Sequence, residues 1–131
     1  MAGQIFLYGD FVPFIRHEIG EMRRLQEDQR KITIMFLQIN SPESGLKFLQ
    51  GNLRTSDVIF HRDDIFLIVM PLTDKEGAMH VARVLEEYYG ERVHDVNATW
   101  PEDGEDEDAL LTNFAQYIRS KCGVDLFALI V

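Results

Sequence analysis

The stretch RTSDVIFHRDDIFLIVMP, residues 54–71, constrains the fold more than any other part of the chain. Two apolar runs, VIF and IFLIVMP, flank the polar residues His61, Arg62, Asp63 and Asp64. Runs of this kind read as strands. The gap between them is too short for a crossover helix, so the two strands must form an antiparallel hairpin.

The rest of the sequence supplies elements to cover that hairpin. Phe11, Phe14, Ile15, Ile19, Met22 and Leu25 recur at helical spacing, with Asp10 as the expected N-cap and Pro13 in the first turn. KITIMFLQI reads as a buried strand, and SPESGLKFLQGNL as one modest helix burying Leu46, Leu49 and Leu53. In TDKEGAMHVARVLEEYYG, Thr73 and Glu76 match a capping box, and Gly90 is the expected stop. That helix should bury Ala78, Val81, Ala82, Leu85, Tyr88 and Tyr89. HDVNATWP reads as a strand. An acidic loop then leads into a helix burying Leu111, Phe114, Ala115 and Ile118, and VDLFALIV reads as a closing strand. QIFLY is a candidate for an additional strand. This order implies an α/β (α+β) fold: a mixed central sheet of about five strands with a β-hairpin, flanked by helices.

A chain of 131 residues favours one domain, here spanning 1–131. Its formal net charge of -9 argues against nucleic-acid polymers as partners, because they require a basic surface. One cysteine, Cys122, precludes an internal disulfide. No apolar run approaches the ~20 residues of a membrane span. MAGQIFLYGD also lacks the pattern of a signal peptide, so a cytoplasmic protein without membrane attachment is expected.

Candidate chemistry is sparse. Asp63 and Asp64 are adjacent, and neighbouring strand residues point to opposite faces, so a solvated turn is the simpler reading. The nearest strand end contributes only the amides of Gln38 and Asn40, which are poor ligands for a divalent cation. The acidic run at 102–108 lacks calcium-loop spacing and suits a helix N-terminus. HEIGE at 17–21 lacks the second His of a zinc-protease motif. No phosphate-binding glycine loop or nucleophile elbow is present, and no metal or cofactor is expected. Arg54 and Asp57 stand apart. An Asp three residues after an Arg can orient the guanidinium fork towards a phosphate or a guanine, or can simply form a local ion pair.

With these residues in place, the chain resembles the GGDEF domains of diguanylate cyclases. RTSDVIFHRDDIFLIVMP resembles their central hairpin, which reads R-x-x-D, five residues, G-G-D-E-F, a hydrophobic strand and Pro. DKEGAMHVARVLEE resembles the following helix. NATWPEDGEDEDALLTNFAQYIRSKCG resembles the strand, Y-P-x-D-G turn and final helix. PFIRHEIGEMRRLQEDQRKITIMFLQIN resembles the first helix and strand.

The departures define a degenerate site. Arg62 and Asp63 are expected in the turn that the family fills with two glycines, and Asp64-Ile65 replaces its Asp-Glu pair. Gln38 and Asn40 replace the D-x-D strand end, and residues 41–53 leave room for about one helix where the family has two. Two-metal phosphoryl transfer requires the missing carboxylates, so no catalytic residues and no cyclase activity are expected. The resemblance implies a regulatory or protein-interaction domain of bacterial signalling, with a protein partner. The retained R-x-x-D implies an alternative, cyclic di-GMP reception through Arg54 and Asp57. The family's site often adds an arginine from the helix after the hairpin, in the same or a second chain. Arg83 is adjacent to that position, which leaves a homodimer open.

Overall fold

The computed structural model describes residues 4–6, 8–24, 30–89 and 93–126. The elements run β1 (Gln4–Phe6), a 3-10 turn (Tyr8–Asp10), α1 (Phe11–Arg24), β2 (Ile32–Gln38), α2 (Pro42–Asn52), β3 (Val58–Arg62), β4 (Ile65–Pro71), α3 (Lys75–Tyr89), β5 (His94–Trp100) and α4 (Glu107–Cys122). The five strands form one mixed sheet in the order β1-β3-β4-β2-β5. β1 pairs parallel to β3, and the other neighbours are antiparallel.

β2 and β4 occupy the interior of the sheet, which is why both read as nearly unbroken apolar runs. Alternate side chains enter two separate cores. Ile34, Phe36, Phe60 and Leu67 pack with Phe11, Ile15, Phe114 and Ile118 of α1 and α4. Met35, Leu37, Ile59, Phe66 and Ile68 pack with Leu49 of α2 and with Ala78, Ala82 and Leu85 of α3. The sheet is therefore sandwiched between two helical layers, and the expected architecture is observed. Among the described residues no helix is long and apolar enough to cross a membrane.

Several local expectations are corrected. The hairpin turn is Asp63-Asp64, one residue later than expected, because Arg62 and Ile65 pair as the last rung of the ladder. Asp63 adopts a positive φ of 53°, a conformation that Asp tolerates better than most residues. Asp74, rather than Thr73, caps α3, its carboxylate accepting from the Gly77 N–H at 2.9 Å. Tyr88, expected in the buried stripe of α3, is 61% exposed. Residues 124–126 are not strand, and the remainder of VDLFALIV, with Leu25 and Gly90, lies outside the described residues.

Candidate functional site

The two regions singled out in the sequence lie at opposite ends of β3, about 17 Å apart at the usual rise per strand residue. The hairpin tip, at the far end, sits beside the end of β2, because Gln38 pairs with Ile65. There the Gln38 amide donates to the Asp64 carboxylate, Nε2 to Oδ2, at 3.1 Å. The Ile39 N–H donates to the Asp64 carbonyl at 2.9 Å. His61 engages the Asp63 carbonyl at 2.7 Å and stacks on Phe66 with ring centroids 4.3 Å apart.

The fold thus brings Gln38 and Asp64 together, and they meet as amide and carboxylate. Ile65 is buried, whereas Asn40, Arg62 and Asp63 are exposed. A divalent cation needs several oxygen donors, most of them anionic, and here one carboxylate already accepts from an amide. Among the described residues no group of three or more His, Cys, Asp or Glu side chains could hold a metal ion.

The near end holds Arg54 and Asp57. α2 ends at Asn52, and the chain turns through residues 53–57 into β3, with the Asp57 N–H donating to the Arg54 carbonyl at 3.0 Å. This turn buries the Asp57 carboxylate, whose side chain is 3% exposed. Asp57 accepts the Arg54 N–H at 2.8 Å and Arg54 Nη2 at 2.9 Å, so the motif is locked at both backbone and side chain. Nη2 also donates to the Pro71 carbonyl at 2.6 Å and to the Thr73 hydroxyl.

The Arg54 side chain nevertheless remains 50% exposed. Among the described residues its Nη1 makes no hydrogen bond. It borders a shallow groove of about 230 Å³, walled by Asn52, Leu53, Met70, Gly77 and Val81. Arg83 is exposed on α3 and does not line this groove.

Thr73 was not anticipated as a site residue, because its local sequence reads as a helix cap. No local pattern shows that a residue 19 positions after Arg54 returns to it. Leu72 makes that return with a positive φ of 57°, and its N–H is held by the Lys31 carbonyl at 2.6 Å.

A polar network continues from this end of the sheet. The buried Thr33 hydroxyl donates to the Thr73 carbonyl at 2.6 Å and lies 2.8 Å from the Thr99 hydroxyl. The Thr99 N–H donates to Asp103 at 2.8 Å. Asp103 also binds Lys75 at 2.9 Å and the Tyr117 hydroxyl at 3.1 Å. Partial burial opposes the charged form of Asp103, but donation from the Thr99 N–H and Lys75 outweighs it and holds the pKa below its ordinary value.

A carboxyl with a depressed folded pKa contributes stability that is complete above its unfolded value, about 3.9. That contribution is lost as pH falls through the lower folded value. Denaturant midpoints measured from pH 7 downwards are expected to fall in this window, and less steeply in Asp103→Asn. Identical profiles for the two proteins would contradict the assignment.

No protein-family model and no curated protein matches the chain. Solved structures do. A sensory box/GGDEF family protein from Caulobacter crescentus CB15 superposes with a TM-score of 0.53 over 82% of this chain and 88% of that one, at 9% identity. The fold is GGDEF-like. PelD 158-CT from Pseudomonas aeruginosa PAO1 is also similar, with a TM-score of 0.54 at 20% identity over 87% of this chain. The match spans 44% of the PelD chain. At these identities the GGDEF-like relationship is one of architecture, so any function must be argued from this chain's own side chains.

Proposed function

We propose that this domain is a non-catalytic GGDEF-like module of bacterial signalling that regulates by binding a protein partner. The observation that carries the non-catalytic part of this reading is the hydrogen bond from Gln38 to Asp64. A neutral amide and a buried Ile65 stand where the resemblance would require carboxylates, so the charge of a triphosphate would go unneutralised. The protein incubated with GTP and magnesium should form no cyclic di-GMP detectable by chromatography. Appearance of that product would overturn the proposal.

A second reading has its own support. The half-exposed Arg54, held by a buried Asp57 beside an open groove, suits reception of cyclic di-GMP. Arg83 would be the additional cation, supplied by this chain or by a second copy. Calorimetry separates the readings. Binding weakened at least about tenfold by Arg54→Ala, the loss expected for a charged hydrogen bond, would establish the receptor. Absence of heat in the unsubstituted protein would eliminate it, and binding indifferent to Arg54→Ala would place the ligand elsewhere.

A further inference from the structure

The groove beside Arg54 continues along the seam between α2 and α3. Asn52, one of its walls, lies a single helical turn beyond Phe48, and its amide donates to the Phe48 carbonyl at 2.8 Å. Phe48 is half-buried, and its ring meets that of Tyr88 at a centroid distance of 4.9 Å. Tyr88 is exposed. On α3 it follows Val81, which lines the groove and packs on the same core as Phe48. Two helical turns, about 10 Å, separate Val81 from Tyr88. The seam therefore has a half-exposed guanidinium at one end and an exposed aromatic pair at the other.

We propose that this seam docks an amphipathic helix of a protein partner, which sets a carboxylate on Arg54 and an apolar side chain against Tyr88 and Phe48. Charge points to that occupant. A net charge of -9 repels acidic partners in general, so a carboxylate is drawn to this face by a local cation. Arg54 supplies it: Nε and Nη2 are committed to Asp57, Pro71 and Thr73, and Nη1 is left to donate. Size points the same way. At about 230 Å³ the groove falls below the ~300–1,000 Å³ of pockets that enclose small molecules, so a segment lying across it fits better. Arg and Tyr are also among the residues that dominate protein–protein binding energy. A helix presents positions seven apart on one face at about the spacing of this seam. The proposal rests on the protein-partner reading above and names its surface.

The test is a heteronuclear NMR titration of the unsubstituted protein with capped, alanine-based helical peptides. Each carries leucine and glutamate seven positions apart, in one order or the other. With one of them the backbone amides of Asn52, Gly77, Val81 and Tyr88 should shift. The same peptide with glutamine for glutamate should bind at least about tenfold more weakly, the loss expected for a charged hydrogen bond. Because that comparison uses the native protein, it does not depend on any variant folding. Tyr88→Ala, at an exposed position, should also weaken binding and leave the circular dichroism unchanged. Absence of shifts at these amides, equal affinity for the glutamate and glutamine peptides, or indifference to Tyr88→Ala would each overturn the proposal. Cyclic di-GMP moving these amides where no peptide does would assign the seam to the nucleotide instead. A failed titration leaves the absence of cyclase activity untouched, whereas cyclic di-GMP formed from GTP would remove the non-catalytic reading without altering the titration.

Discussion

Phe60→Ala should lower the stability of the domain by about 3–5 kcal/mol. The Phe60 side chain is fully buried on β3. Its ring meets Phe11 edge-on at a centroid distance of 5.3 Å and Phe14 at 5.6 Å. It therefore carries the contact between the hairpin and α1, and truncation opens a cavity that three elements would have to close. Urea unfolding should show a lower midpoint with an unchanged slope. A loss under about 1 kcal/mol would mean that the two layers collapse readily onto each other, contrary to the packing seen here.

Asp57→Ala should cost about 1.5–3 kcal/mol, the range for hydrogen bonds to a charged group. The substitution removes the acceptor for both the Arg54 N–H and its guanidinium, at a carboxylate almost without solvent contact. Arg54→Ala tests the same pair from its exposed side. It leaves the buried carboxylate its backbone donor but not its counter-charge, so part of the loss should reappear. If neither change moves the denaturant midpoint, the motif does not organise the turn between α2 and β3. The measurement bears on ligand reception as well, because a guanidinium already oriented by Asp57 loses little rotamer freedom on binding.

Much of the scaffold was legible in the chain. The apolar run of β2 announced a sheet covered on both sides, and the short gap after β3 allowed only a hairpin. The stripes of α1 and α4 appeared largely as expected, since Phe11, Ile15, Ile19, Met22, Leu111, Phe114 and Ile118 are buried. Errors arose where one local signal had competing uses. Thr73 and Glu76 look like a capping box, yet Arg54 and Pro71 engage the Thr73 hydroxyl and Asp74 takes the cap. Tyr88 fits the helical stripe of α3, but its ring lies tilted against Phe48 at a centroid distance of 4.9 Å and stays exposed.

The sequence by itself determined which segments are apolar, at what period, and that positions 38, 40 and 65 hold Gln, Asn and Ile rather than carboxylates. Those properties are local, because periodicity and residue type act over one or two turns of chain. Only the tertiary structure decided that Gln38 faces Asp64, that Thr73 returns to Arg54, and that Asp103 reaches both Lys75 and the edge of β5. These contacts join residues from different elements. They depend on strand order and register, which are set by burying both faces of the whole sheet at once rather than by any short stretch of sequence.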